Sequence, residues 1–199
     1  MNEIELKLLI TEESAVDFIK KMDSFAFLQK EEQFLTNCYY DTADNFFASH
    51  KMGLRVRGKN QQFELTLKTN GEVENGLHIR SEYNIALTDS TPDLNKLVKK
   101  YNLEFDWINL PLLPVFSTDF HRTIWLVKMP NCSEIEIALD LGWICAGTVK
   151  ERICEIELEL KKGEKADLFL LLQKLNLVDV AFYDLSKAQR GYALAKNCN

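Results

Sequence analysis

The amino-acid sequence predicts an α+β fold in which antiparallel strands close into a barrel with a charged lumen, while helices pack on its outside. The first observation behind this prediction is a series of segments in which charged and large apolar residues alternate, as they do along a strand exposed differently on its two faces. The second is the presence of amphipathic helices, which need an apolar surface to cover. Both patterns are satisfied when the apolar strand faces point outward and the charged faces line the lumen.

The first strand carries the clearest alternation. Glu3, Glu5 and Lys7 share one face of the run from Glu3 to Leu8. Two carboxylates about 7 Å apart on a strand suit a divalent cation, and a lysine beside them suits an anion carried by that cation. By itself the run is weak evidence, because an ordinary half-buried edge strand, which shows the same pattern, explains it better.

Later segments repeat the alternation with the signs of charge separated. Bases concentrate in 54–57 and 64–68, whereas acids dominate 134–140 and 155–161. Solvated sheets usually mix the two signs, because like charges opposite each other destabilise a sheet. We therefore expect the lumen acids to crowd one another, with metal ions on the acids and phosphates on the bases.

Cap and turn signals divide the chain into elements. Thr11 is placed to cap a first helix, Thr91-Pro92 marks the start of another, and Gly163 precedes a third. The predicted strands are 3–10, 32–41, 53–59, 62–69, 76–87, 115–122, 123–129, 133–141, 143–149 and 152–161. The predicted helices are 12–22, 93–101, 164–175 and 187–196, with 43–52 as a loop or short helix and 102–114 as a connector.

Composition indicates a single domain over residues 1–199. The chain is 46% hydrophobic, which suffices for a substantial core. A net charge of −6 argues against a nonspecific nucleic-acid binder. No apolar run approaches 18 residues and no signal peptide is recognisable, so we expect a cytoplasmic protein without a membrane or nucleic-acid partner.

The cysteines and histidines show no metal-ligand spacing. Five cysteines, an odd number without a C-x-x-C motif, predict free thiols in a reducing cytosol. His50, His78 and His121 stand far apart and are expected to be structural or exposed.

Seven motifs occur together in the order found in one known family. They are Glu-x-Glu-x-Lys at 3–7, Tyr-Tyr-Asp-Thr at 39–42, Leu-Arg-Val-Arg at 54–57, Leu-Thr-Leu-Lys at 65–68, Glu-Ile-Ala-Leu-Asp at 136–140, Glu-Ile-Glu-Leu-Glu-Leu at 155–160 and Ser-Lys-Ala-Gln-Arg-Gly-Tyr at 186–192. Over roughly residues 3–196 the chain resembles the CYTH domain, or triphosphate tunnel metalloenzymes, and within them the bacterial inorganic triphosphatases. The resemblance implies an eight-stranded antiparallel tunnel that binds a linear triphosphate with Mg²⁺ or Mn²⁺.

The resemblance also implies roles for individual residues. The implied metal ligands are Glu3, Glu5, Asp140, Glu155 and Glu157, with Glu136 and Glu159 as second choices. The implied phosphate-binding residues are Lys7, Arg55, Arg57, Lys68, Arg80, Arg122 and Lys187. The implied catalytic residues are Lys7, Glu5 and Glu157. The sequence leaves open whether Arg190 joins the site, and whether Tyr39 and Tyr40 pack or hydrogen-bond in the tunnel.

The expected activity is metal-dependent hydrolysis of inorganic triphosphate to pyrophosphate and phosphate inside the tunnel. Thiamine triphosphate hydrolysis and a class IV adenylate cyclase activity are alternatives that would use the same lumen. A non-catalytic polyphosphate- or nucleotide-binding module is a further alternative.

Overall fold

A computed structural model describes residues 2–104 and 111–197, and these residues form nine strands and five helices. The strands are β1 (Asn2–Ile10), β2 (Gln29–Asp41), β3 (Gly53–Lys59), β4 (Gln62–Glu74), β5 (Leu77–Leu87), β6 (Leu113–Lys128), β7 (Glu134–Ala146), β8 (Val149–Lys162) and β9 (Val180–Phe182). The helices are α1 (Glu12–Asp23), α2 (Phe46–Ser49), α3 (Leu94–Tyr101), α4 (Ala166–Leu175) and α5 (Lys187–Lys196).

Eight of these strands close into an antiparallel barrel. Their order is β5-β4-β3-β2-β6-β7-β8-β1, and β1 also pairs with β5, for example through Glu3 opposite Arg80. The short β9 adds to the end of β1, with Ile10 opposite Val180. The predicted closed barrel is confirmed.

Two helices cover the outer face of β1 and its neighbours. Leu6 and Leu8 of β1 point outward and are buried together with Phe18 of α1 and Leu171 of α4. Phe18 also meets the ring of Trp125 edge to face, with the ring centroids 5.7 Å apart. Burial of each large apolar side chain contributes about 1.5–3 kcal/mol, so these helices stabilise the apolar outside of the barrel.

The opposite part of the wall has its own cover. Leu54 of β3 and Leu67 of β4 are buried in one cluster with Leu97 of α3 and Phe47 of α2. The outward-facing apolar residues of the strands therefore have helical partners on both sides of the barrel. The prediction that helices pack on the outside is confirmed.

Helix α5 lies across one end of the lumen. A Cβ atom at Gly191 would come within 2.0 Å of the ring of Phe116, so only glycine permits this approach. The hydroxyl of Tyr192 donates a hydrogen bond to the carbonyl oxygen of Tyr40 (3.0 Å). These contacts close the end of the barrel at which β2 finishes and β6 starts.

Two predicted strand breaks are wrong. β6 runs without interruption through 122 and 123, and β7 runs through Gly142. The β6–β7 ladder continues across both positions, pairing Arg122 with Asp140 and Phe120 with Gly142. The strand needs glycine at 142, because a Cβ there would meet the carbonyl oxygen of Asp119 at 2.2 Å and the Cβ of Phe120 at 2.4 Å.

The remaining differences are local. Asp93 caps α3 by accepting a hydrogen bond from the backbone N–H of Lys96 (2.8 Å), so the helix begins at Leu94 rather than directly after Thr91-Pro92. The cap at Thr11 is confirmed. β9 is too short for an alternation signal. Of the predicted connector, 102–114, residues 105–110 lie outside the described residues, and the last two residues belong to β6 rather than to a connector.

Candidate active site

Strand periodicity directs the charged residues into a single internal cavity of about 330 Å³. Its lining includes predicted residues from β1, β3, β4, β5, β6, β8 and α5. These are Glu3, Lys7, Arg55, Arg57, Lys68, Arg80, Arg122, Glu157 and Lys187. The lumen is therefore charged, as the alternation predicts.

Three of the predicted acids come together on adjacent strands. Asp140 of β7 lies opposite Glu155 of β8, and Glu157 follows two residues later on the same face of β8. All three are buried, and one carboxylate oxygen from each lies within 4.8 Å of the others. We call Asp140, Glu155 and Glu157 the acidic trio.

Two lysines enter the acidic trio from different elements. The Nζ of Lys187, the first residue of α5, lies 2.6 Å from Asp140 and 2.9 Å from Glu157, and it also contacts Glu155. The Nζ of Lys7 lies 3.0 Å from Glu157 and 3.3 Å from Glu155. Burial alone would lower the pKa of Lys7, but Glu155 and Glu157 outweigh burial and raise that pKa, so Lys7 is charged.

Two arginines complete the neutralisation of the acidic trio. Arg122 binds Asp140 with both prongs of its guanidinium (2.7 and 2.6 Å) and reaches Glu157 at 2.5 Å. Burial alone would raise the pKa of Asp140, but Arg122 and Lys187 outweigh burial and lower that pKa. Arg190 donates to Glu155 (2.8 Å) and to Glu151 (2.6 Å). The structure thus brings Arg190, which the sequence left open, into contact with the trio.

The other two predicted metal ligands lie elsewhere in the lumen. Glu3 contacts Lys68 (2.5 Å) and Arg80 (3.1 Å), and Glu5 contacts Arg80 (3.0 Å). Lys68 is also held by Glu82 (2.8 Å), a lumen acid that the sequence analysis missed because Ser81 weakens the alternation around it. Neither Glu3 nor Glu5 belongs to the acidic trio.

These contacts correct one expectation from the sequence. The acids were expected to crowd one another and the bases to stand apart, but the cations lie directly among the carboxylates. Positive and negative residues that are separated along the sequence become neighbours in the fold. The reason is that elements beside or above the acidic strands supply the cations Lys7, Arg80, Arg122 and Lys187. Opposite charges at short range stabilise both partners.

Arg55 and Arg57 differ from the other lumen cations. Among the described residues, neither forms a salt bridge with a carboxylate. Arg57 donates from Nε to the side-chain oxygen of Asn37 (3.0 Å), and the buried Nε of Arg55 has no hydrogen-bond partner. Burial, together with the nearby charges of Arg55 and Arg122, lowers the pKa of Arg57 to about 9. A positive charge is therefore unfavourable at Arg57 until an anion joins it.

Tyr39 and Tyr40 occupy opposite faces of β2. Tyr39 lies in the lumen, stacked on Phe116 with ring centroids 4.4 Å apart, and it lines the cavity. Burial alone would raise the pKa of Tyr39, but Arg55 outweighs burial and lowers that pKa. Tyr40 faces the other way.

The second-choice acids lie apart from the trio. Glu136 pairs with Glu159 across β7 and β8, and both contact Lys161. Among the cysteines, Cys38, Cys132, Cys145 and Cys154 are free, as predicted, whereas Cys198 lies outside the described residues. Within the described part of the chain, no helix has the length and apolar character needed to cross a membrane.

Similar barrels are known among solved structures. A proposed adenylyl cyclase from Hippeastrum, with a dominant triphosphatase activity, superposes with a TM-score of 0.61 at 18% identity, covering 99% of this chain and 96% of its own. A protein from Pyrococcus horikoshii superposes with a TM-score of 0.58 at 20% identity, covering 98% of this chain and 99% of its own. These likenesses support the fold alone.

The sequence comparisons then identify the family. The CYTH domain model matches residues 1–192, so the chain belongs to the CYTH domain family. The inorganic triphosphatase of Haemophilus influenzae is 45% identical over 199 residues, which cover 98% of this chain and 55% of that protein. The chain therefore spans about half the length of this relative.

Proposed function

We propose that this chain hydrolyses linear inorganic triphosphate to pyrophosphate and phosphate, with Mg²⁺ or Mn²⁺ as cofactor. One observation carries the proposal: Arg55 and Arg57, which lack a carboxylate contact among the described residues, line the same cavity as Glu157, the member of the buried acidic trio that reaches the lumen. In the ring of eight strands β3 and β8 are four positions apart, so Arg55 and Arg57 face the acidic trio across the lumen. A linear triphosphate with a divalent ion has the complementary distribution of charge.

The acidic trio fits a hard divalent cation. Its ligand atoms are carboxylate oxygens, which Mg²⁺ and Mn²⁺ prefer, and one oxygen from each residue lies within 4.8 Å of the others. An ion bound by all three would compete with the ammonium of Lys187, which contacts the same carboxylates. When bound, such an ion would neutralise charge on the phosphate oxygens. We assign Asp140, Glu155 and Glu157 as its principal ligands and keep Glu3 and Glu5 as proposed ligands nearer β5.

The phosphates are assigned to the basic residues of the lumen. Arg55 and Arg57 are the primary candidates, since a guanidinium fork can bind two phosphate oxygens and neither arginine is engaged by a carboxylate. Lys68 and Arg80 extend this surface toward β1. Arg122 and Lys187 also line the cavity, and we propose that they contact the phosphates nearest the acidic trio.

The proposed catalytic residues are Lys7, Glu5 and Glu157. Lys7 stays protonated and reaches Glu157 at 3.0 Å, so it can hold a phosphate oxygen beside the trio. The carboxylates of Glu5 and Glu157 accept hydrogen bonds and can orient an attacking water for in-line displacement. The cations around them stabilise the charge that develops on the leaving phosphates.

Product analysis tests the proposal directly. The protein is incubated with Mg²⁺ or Mn²⁺ and, separately, triphosphate, thiamine triphosphate or ATP, and the products are separated by ion chromatography. We expect pyrophosphate and phosphate from triphosphate, with a higher kcat/KM than for the other substrates. Preferred hydrolysis of thiamine triphosphate, or cyclic AMP from ATP, would replace this proposal by the corresponding alternative activity. Tight binding of triphosphate without any product would indicate a binding module.

A further inference from the structure

Residues 180–185, here called the strap, connect the β-barrel to α5. The strap begins with β9, which pairs with β1 through Leu8 opposite Phe182. It leads into Ser186, whose side chain caps α5 and whose backbone N–H donates a hydrogen bond to the side-chain oxygen of Gln189. Lys187 follows immediately, so the strap fixes where α5 starts and where the Lys187 side chain enters the lumen.

Three hydrogen bonds tie the strap to β1 and to the turn before β5. The backbone N–H of Tyr183 donates to the carbonyl of Lys7 (3.1 Å), and the buried His78 donates from Nε2 to the carbonyl of Tyr183 (3.1 Å). The backbone N–H of Gly76 donates to the carboxylate of Asp184 (2.6 Å). Because its acceptor is a carboxylate, the Asp184 contact is the strongest of the three.

The same turn also holds the backbone of Lys7. Gly76 accepts a hydrogen bond from the N–H of Lys7 (2.8 Å) while its own N–H is held by Asp184. Lys7 and Lys187 thus lie at the two ends of one short hydrogen-bonded path, and their ammonium groups converge on Glu155 and Glu157.

We infer that Asp184 is a positioning residue, which sets Lys187 relative to Lys7 over the acidic trio by holding Gly76; the inference rests on the proposed function. Asp184 itself is exposed and does not line the cavity. Its effect on turnover therefore passes through the placement of the two lysines. A charged group displaced by about 1 Å can cost a hundredfold in rate, so the placement is consequential.

Three variants distinguish a positioning role of Asp184 from a general effect of removing a surface carboxylate. Asp184→Ala removes the acceptor for the Gly76 N–H, whereas Asp184→Asn keeps an oxygen there. Glu74→Ala is the matched control, since it removes an exposed carboxylate two residues from Gly76. The measurements are kcat and KM for triphosphate with Mg²⁺, and amide hydrogen exchange of the first turn of α5 without ligands.

The expected result is a split between the kinetic constants. Asp184→Ala should lower kcat about tenfold with KM within about twofold of wild type, because the residues on β3 that bind phosphate are untouched. Amide exchange in the first turn of α5 should accelerate in the same variant. Asp184→Asn should restore most of kcat, and Glu74→Ala should match wild type in both measurements.

Several outcomes would overturn the inference: a wild-type kcat in Asp184→Ala, a rise in KM as large as the fall in kcat, or an equal loss in Glu74→Ala. If the wild-type protein does not turn over triphosphate, the proposed function fails. Hydrogen exchange then decides separately whether Asp184 holds α5 in place, and unchanged exchange in Asp184→Ala would reject that as well.

Discussion

The two opposite walls of the tunnel neutralise their buried charges in different ways. On the β7–β8 wall each member of the acidic trio contacts at least two cations, as Asp140 does with Arg122 and Lys187. On the β3 wall, Arg55 and Arg57 have no carboxylate contact among the described residues. The charges of the β7–β8 wall are paired within the protein, whereas on the β3 wall the positive charge of Arg57 is one that an anion would stabilise. The difference separates a wall whose charges are already paired in the ligand-free protein from a wall whose arginines are free of carboxylates and can take up an anion.

Asp140→Ala should give the largest effect, because it leaves Arg122 and Lys187 buried with one partner fewer. Removal of one member of a buried ion pair costs about 3–5 kcal/mol, and we expect the free energy of unfolding to fall by that amount. Glu136→Ala is the control, since Glu136 lies 3.6 Å from a partly exposed lysine and should cost less than about 1 kcal/mol. Urea unfolding measures both variants. Equal losses would show that the acidic trio is no more tightly coupled than the rest of the lumen.

The double variant Arg55→Ala/Arg57→Ala tests the β3 wall as the phosphate site. Triphosphate with a divalent ion should stabilise the wild-type fold by about 2.7 kcal/mol at a hundredfold excess over Kd. The double variant should lose most of this increment and keep any stabilisation by the ion alone. Thermal melts with Ca²⁺ in place of Mg²⁺ measure the increments, with phosphate release followed to verify that triphosphate stays intact. A full shift in the double variant would place the phosphates elsewhere.

Single substitutions of two arginines compare the walls directly. Arg122→Gln should destabilise the ligand-free protein by about 1.5–3 kcal/mol, because it removes charged hydrogen bonds to Asp140 and Glu157. Arg57→Gln should instead raise the melting temperature by about 2–4 °C for a gain of about 1 kcal/mol, since the lost charge was unfavourable in the fold. It should weaken triphosphate binding at the same time. If both substitutions lower the melting temperature alike, the contrast between the walls is wrong.

Acid pH should lower the stability that the ion pairs of the β7–β8 wall contribute. Near neutral pH this is the smallest of the expected effects. The cations of this wall lower the pKa values of Asp140 and Glu157 in the folded state despite burial, which alone would raise them. The resulting stability is complete above the ordinary values of 3.8 and 4.5 and declines as pH falls below them, because the unfolded chain then binds more protons. Urea midpoints between pH 7 and pH 3 should therefore fall mainly below about pH 4.5. Glu157→Gln should flatten that decline, and an unchanged profile in this variant would contradict the assignment.

The sequence predicted which face of each strand lines the lumen better than it predicted which strands lie next to each other. Strict alternation assigns Glu3, Arg55 and Glu157 to the lumen, because side-chain direction repeats every two residues. Alternation carries no information about which strand lies opposite or beside another. The contacts of Lys187 with carboxylates 30 to 47 residues away could therefore not be read from local patterns.

Contacts made by residues of the last helix and by the short strand before it were also not predictable from the sequence. The sequence left open whether Arg190 joins the site, since its partners Glu151 and Glu155 lie on a distant strand. Asp184 and the three-residue β9 carry no periodic signal at all. The seven motifs supplied the family and most of the site, but the ion-pair network among them follows from barrel closure.

Barrel closure has a consequence for how the chain acquires its site during synthesis. Within this domain β1 is synthesised before the other strands, yet its lysine pairs with Glu155, which lies 148 residues later, and the neighbouring β5 cannot replace β8 on its other edge. A strand whose partners are so distant in sequence pairs late, because long loops must close before its contacts form. α5 follows β8 and adds Lys187 after that. The first strand and the last helix of this domain therefore meet at the acidic trio, so the site forms only when the whole barrel has been made.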